Sequence, residues 1–158
     1  MRCLIDTHIA LWWYFDSSRL RRDHLRTIAD ERNEICVSAA AIWEIEVKRR
    51  NGKLECPIDM MERIRADGFA ILPIRAEHLV PLRTIPPIHN DPFDRIMVCQ
   101  AIVEQIPLIS YDPKVNAYFR QNQRTRIRVP DGKEGPTTSV ISVASITSSN
   151  ATATFPVL

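Results

Sequence analysis

The chain has 158 residues, of which 25% are charged and 45% hydrophobic, with 11 Pro and only 4 Gly. That length fits one domain, and a chain of this size buries roughly 68–70% of its unfolded surface, enough to fold without a disulfide or metal staple. A formal charge of +2 excludes a histone-like basic protein and an acidic disordered one, and leaves a local basic groove open.

Four cysteines stand at positions 3, 36, 56 and 99 with no C-x-x-C pair, which argues against zinc-ribbon and thioredoxin-like sites. Cys3, Cys36 and Cys99 lie in apolar stretches and read as buried reduced thiols, as expected of a cytoplasmic chain. The opening run MRCLIDTHIALWW carries Asp6 and His8 where a signal peptide would have an unbroken apolar core. No stretch reaches the ~18 apolar residues of a membrane span.

In chain order, Cys3-Leu4-Ile5 predicts a short buried strand with Asp6 at its carboxyl end. Thr7 is placed to cap a helix over about 8–15 that carries Trp12 and Trp13. Residues 19–32 predict an amphipathic helix with Leu20, Leu25 and Ile28 facing in. Ile35-Cys36-Val37-Ser38 predicts a second strand. Ala39–Arg50 holds no Gly or Pro and predicts a helix that Asn51-Gly52 stops. Pro57 opens a further helix to about residue 66, and Phe69-Ala70-Ile71-Leu72 forms a third strand. A short helix follows over 76–83, then a proline-rich loop over 85–92 and a helix over 93–104. Leu108-Ile109-Ser110 predicts a fourth strand, 114–121 a last helix, and Ile127-Arg128-Val129 an edge strand.

Strands alternating with helices predict an α/β domain over residues 1–130, with a central parallel sheet of about four to five strands flanked by helices. The last 24 residues carry no charge, and 10 of the 18 residues in 137–154 are Ser or Thr, so 131–158 reads as a disordered appended tail.

Four carboxylates stand just past strand ends or early in the helices that follow, where open α/β sheets place their chemistry. They are Asp6, Glu44, Asp94 and Asp112. Singly, each has an ordinary reading as a turn residue, a helix cap or an ion-pair partner, with Lys48 four residues after Glu44. Together they read differently. Asp6 follows Cys-Leu-Ile, and Glu44 stands in Ala-Ile-Trp-Glu-Ile, settings in which a carboxylate costs several kcal/mol unless a cation or donors meet it. No Lys or Arg lies between residues 3 and 18 to serve Asp6. A shared divalent cation satisfies such a set, and oxygen ligands suit Mg²⁺ or Mn²⁺ rather than zinc. Such a cation assists phosphodiester displacement. No P-loop or G-x-G-x-x-G run is present, which argues against a bound nucleoside triphosphate or dinucleotide.

Four stretches then carry a resemblance to a known family. They are Leu4-Ile5-Asp6-Thr7-His8 with Leu11-Trp12; Ser38 through Trp43-Glu44-Ile45 to Lys48 with Gly52-Lys53-Leu54; Ile88-His89-Asn90-Asp91-Pro92-Phe93-Asp94-Arg95; and Leu108-Ile109-Ser110-Tyr111-Asp112. In this order they resemble PIN-domain proteins, specifically the VapC-type toxin ribonucleases of bacterial toxin–antitoxin pairs, over roughly residues 1–129. The resemblance implies a PIN fold and an endoribonuclease that cuts single-stranded or structured RNA with Mg²⁺ or Mn²⁺. It implies catalytic roles for Asp6, Glu44, Asp94 and, more variably, Asp112, with Asp6 and Asp94 holding the metal and Glu44 and Asp112 able to add to it. Ser110 stands where its hydroxyl orients a carboxylate or a water beside the metal. A cognate antitoxin, a homodimer and a cytoplasmic location are also implied. The face expected to receive the antitoxin is the first helix with Trp12 or Trp13, and the helix around Leu20, Leu25 and Ile28. The Ser/Thr-rich tail matches nothing in the family.

Several neighbours have two readings. Asp91 before Pro92 reads foremost as a helix cap. His8 and His89 read foremost as hydrogen-bonding histidines, since the acids already supply hard ligands. Of Trp12 and Trp13, about 100° apart on a helix, at most one can face the core fully. Lys48, Arg49, Arg50 and Lys53 form either a solvated face or a phosphate-steering patch. A PIN scaffold that binds RNA or protein without cutting is the alternative function. A HAD-type phosphatase needs a second Asp where His8 stands.

Overall fold

The structure, a computed structural model, describes residues 1–56 and 60–124. Four short strands form one parallel sheet: β1 (Arg2–Ile5), β2 (Glu34–Ser38), β3 (Ala70–Leu72) and β4 (Leu108–Ile109), in the order β3-β2-β1-β4. Seven α-helices flank it: α1 (Thr7–Phe15), α2 (Arg22–Ala29), α3 (Ala39–Arg50), α4 (Met60–Ala66), α5 (Ala76–Leu79), α6 (Pro92–Glu104) and α7 (Pro113–Arg124). This is the α/β arrangement expected from the alternation of apolar runs. The predicted strand at 127–129, the tail and the start of the helix at Pro57 lie outside the described residues.

Register decides where chemistry can sit. Ile5 pairs with Val37 on one side and Ile109 on the other. The strands therefore end level, and Asp6, Ser38 and Ser110 leave the sheet along one edge. The chain runs outward from β1 to β2 and β3, then returns to the far side of β1 as β4. That reversal leaves a crevice at the carboxyl ends of β1 and β4, the place where open parallel sheets bind ligands.

The core is built on both faces of the interior strands. Leu4, Ile5 and Val37 are wholly buried, as continuous apolar strands predict. Helix α6 is buried along its middle, with Met97, Val98, Cys99 and Ala101 inside. A helix apolar on all sides must lie between layers rather than on a surface. Gln100, in that run, is also wholly buried. Its Oε1 accepts from Ser38 Oγ at 2.5 Å, and its Nε2 donates to the carbonyl of Pro73 at 3.2 Å. One amide thus ties α6 to the ends of β2 and β3. Cys3, Cys36 and Cys99 are buried thiols outside any disulfide, and burial pushes Cys3 and Cys99 up to about 11. Among the described residues no helix is long and apolar enough to cross a membrane.

Several local expectations need correction. Thr7 does not cap α1: Asp6 occupies the N-cap position, and the Thr7 hydroxyl donates instead to Glu44 Oε2 at 2.6 Å. A carboxylate is the stronger acceptor. The helix expected over 19–32 is shorter, because Ser17–Arg19 form a 3₁₀ turn and Leu20 is extended. At its far end Asp30 Oδ1 accepts from the Arg32 amide at 3.1 Å, a side-chain turn that competes with helix. Leu20 and Ile28 belong to the buried core, so they are not available to receive a partner. Neither Trp12 nor Trp13 is fully buried. Trp12 packs between Tyr111 and the Arg19 guanidinium, whereas Trp13 packs on Phe69. The short helix over 76–83 splits into α5 and a 3₁₀ turn (Val80–Arg83) around Pro81.

Candidate active site

Asp6 is the residue that β1 delivers to the crevice. It is 3% exposed, and its N-cap position is not used for capping by its side chain. Oδ2 accepts from Ser110 Oγ at 2.5 Å, while Oδ1 has no hydrogen-bond partner. Ser110 in turn accepts the Asp112 amide at 3.0 Å, so one hydroxyl fixes the chain after β4 against the end of β1. Burial pushes Asp6 above the ordinary carboxylate range, against the Ser110 hydrogen bond.

Glu44 comes from the second turn of α3. Ser38 caps that helix by accepting from the Ala40 amide at 2.9 Å. Glu44 is 4% exposed, and besides Thr7 it meets Lys48 Nζ at 2.5 Å, one helical turn on. The ion pair foreseen from the i,i+4 spacing thus forms, but around a buried carboxylate rather than a solvated one. Burial opposes the Lys48 charge, yet contact with Glu44 leaves it above its usual range. Arg49, next in the basic run, is engaged by Glu46 at 2.6 Å.

Asp94 lies in the first turn of α6. Asp91 caps this helix, as the Asp-Pro pair predicts: its Oδ1 accepts from the Phe93 amide at 2.8 Å. Burial first, then the charges of Asp6, Asp91 and Glu44, push Asp94 up to about 7, against the pull of His89. A carboxyl raised by three other carboxylates marks a crowded negative site.

Asp112 has a divided role. Oδ1 caps α7 by accepting from the Lys114 amide at 2.6 Å, and Oδ2 lies 3.3 Å from His89 Nε2. Burial would raise it, but these donors outweigh burial and hold it below its usual range. The same Nε2 lies 3.2 Å from Asp94 Oδ2. His89 Nδ1 accepts the Asp91 amide at 2.9 Å, so the ring proton sits on Nε2 and points between the two carboxylates. In that tautomer Nε2 is a donor, not a ligand. His8 is exposed, and its charge draws Asp6 down.

The structure therefore links Asp6, Ser110, Asp112, His89 and Asp94 in one continuous set, with Glu44 close enough to perturb both Asp6 and Asp94. The oxygens of Asp94 and Asp112 and the His89 nitrogen lie within 4.8 Å of one another. The donor set fits a hard divalent cation. It is rich in carboxylate oxygen, it holds a buried Asp6 oxygen without a partner, and the charges of Asp6, Asp91 and Glu44 add to burial in pushing Asp94 up. Two features escaped the sequence. The Thr7–Glu44 hydrogen bond and the bridging position of His89 both arise from tertiary placement, and the only local signal was His89 standing two residues before a helix cap.

A four-stranded parallel sheet with carboxylates gathered at its switch point defines the class: an open α/β fold with an acidic site. Residues 3–120 match the PIN domain family, and the chain belongs to that family, a superfamily of nucleases. Among curated proteins none matches the chain.

Proposed function

We propose that this protein is a divalent-metal-dependent endoribonuclease and the toxin of a toxin–antitoxin pair. The observation that carries the nuclease reading is Asp6: a buried carboxylate with an unpaired oxygen, in a cluster where burial first and then the neighbouring carboxylates push Asp94 up to about 7. Asp6 and Asp94 hold Mg²⁺ or Mn²⁺, with Glu44 and Asp112 able to complete the shell. The bound cation supplies the positive charge that stabilises phosphodiester displacement and eases removal of a proton from water. Ser110 orients Asp6. His89 orients Asp112 and restrains Asp94, and Lys48 pairs with Glu44.

A toxin of this kind needs a protein that blocks it. Helix α1 offers one of the half-buried Trp12 and Trp13, with the exposed Phe15, to an antitoxin helix. A cation from that partner, reaching the same acids, competes with the metal. A homodimer completes the reading.

The alternative is a PIN scaffold that binds without cutting, and one observation favours it: Lys48 pairs with Glu44, and His89 with both Asp94 and Asp112. One assay separates the two. The purified chain is incubated with RNA in Mg²⁺, in Mn²⁺ and in chelator, beside Asp94→Asn. Cleavage in metal alone, reduced at least 100-fold in the variant, supports the nuclease. Equal cleavage by the variant, or none by the unsubstituted chain, refutes the assignment.

A further inference from the structure

We propose that Trp43, braced by Phe93, is a stacking platform for one unpaired nucleobase of the RNA whose backbone the acids engage. The proposal rests on the nuclease reading and adds to it a positioning residue that grips one unpaired base beside the acids.

The geometry starts from the helical step. Residues one apart on a helix point about 100° apart. The turn of α3 that buries Glu44 therefore aims Trp43 outward, and Trp43 is 59% exposed. On α6 the same step sets Phe93 beside Asp94. The two rings meet across the helices with centroids 4.9 Å apart and planes at 81°. Such an edge-to-face contact covers at most one face of the indole, so a broad apolar face stays open. Phe93 meanwhile restricts the indole's rotamers before anything binds, which lowers the entropy lost on binding.

Position then selects the occupant. Trp43 and Phe93 are the chain neighbours of Glu44 and Asp94, so the backbone that carries each ring is one residue from the backbone that carries an acid. The exposed cation Arg50 lies two turns further along the same helix, whereas Lys48 is taken by Glu44. An aromatic face with a cation near a phosphodiester-cutting site is the combination that holds unpaired nucleotides. A protein partner fits less well. On α3 the large exposed apolar residues are Trp43 and Val47, far short of the ~800 Å² per side of a specific interface. Base-paired RNA keeps its bases inside the helix and cannot offer a face to the ring.

The test uses full-length chain carrying Asp94→Asn, so that RNA is not cut during binding. Fluorescence anisotropy measures Kd for a labelled ten-nucleotide single-stranded RNA, for its duplex, and for an oligomer of abasic ribose phosphates. Trp43→Ala is expected to weaken single-strand binding by about 5- to 150-fold. It should leave the abasic oligomer and the duplex unchanged, and Trp43→Phe should restore most of the loss. With Asp94 intact, Trp43→Ala is expected to raise KM with kcat nearly unchanged. Equal loss on the abasic oligomer, or no loss on the single strand, overturns the proposal. So does a Trp43→Ala variant that changes oligomeric state by light scattering while its RNA affinity stays the same. Failure of the unsubstituted chain to cut RNA counts against the nuclease, whereas the comparison of Kd values still decides the platform.

Discussion

At the scale of single residues, the site trades stability for charge. A carboxyl whose folded pKa is raised binds protons more readily folded than unfolded, so its contribution falls as pH rises between the two values. For Asp94 that window runs from about 4 to about 7. The metal-free protein is expected to lose stability through it, by on the order of 4 kcal/mol at most. Asp94→Asn should melt higher than the unsubstituted chain at pH 7.5 without metal, and the difference should vanish near pH 4. Addition of Mg²⁺ should raise the melting temperature of the unsubstituted chain and not of the variant. Calorimetric scans from pH 4 to 8 check this, and a variant that melts lower at every pH would show Asp94 to be structural. The acids were legible in the sequence because ionised groups in apolar runs demand an explanation. Asp91 was legible as a cap because Asp-Pro encodes one locally. His89 between two carboxylates was not, since one comes from the helix after it and the other lies 23 residues on.

Among the elements, the opposite end of the sheet carries a second charged assembly with the reverse pH response. Glu104, at the end of α6, takes Arg2 Nη1 at 2.8 Å, the Arg75 guanidinium and His78 Nε2 at 3.1 Å. His78 is wholly buried and accepts the Arg75 amide on Nδ1, which again leaves the proton on Nε2. The hydrogen bond from Arg2 above all holds Glu104 below its usual range. Its contribution is therefore present above the unfolded pKa and lost as pH falls through the folded one. Glu104→Gln is expected to cost about 1–3 kcal/mol at pH 7 and little near pH 3, without a change in cleavage rate per folded molecule. Denaturant melts at both values check it; an equal loss at pH 3 would deny the charge its role. The helices that could be read were those with local punctuation. Ser38 and Gly52 bracket α3, and Pro92 opens α6. The second helix was overextended because the charged residues 30–32 continue the polar face of a helix, whereas the Asp30 side chain turns the chain there.

For the molecule as a whole, the fold class was readable from alternation, but the strand order was not. Nothing local tells β4 to return beside β1; that follows from covering both faces of the sheet. The position of the site follows from that order, as a consequence of the reversal rather than of any motif. The uncharged tail has the composition of a segment that adds little to a core. A chain ending at Pro130 is expected to keep its melting temperature and its cleavage rate, and a fall of more than about 5 °C would show that the tail packs on the domain.

The link from Ser110 to Asp6 spans 104 residues. During synthesis, β1, β2 and β3 emerge well before the strand that completes the crevice. A ribosome-bound chain halted near residue 100 therefore owns three of the four acids but lacks the hydroxyl that orients the first and the strand that braces it. Domains form as their parts become available. Ribosome-bound chains of 100 residues should be inactive on added RNA, and those of about 160 residues, with a spacer to clear the exit tunnel, should be active. On the nuclease reading proposed above, the protein would thus stay harmless to the ribosome making it until β4 had joined β1.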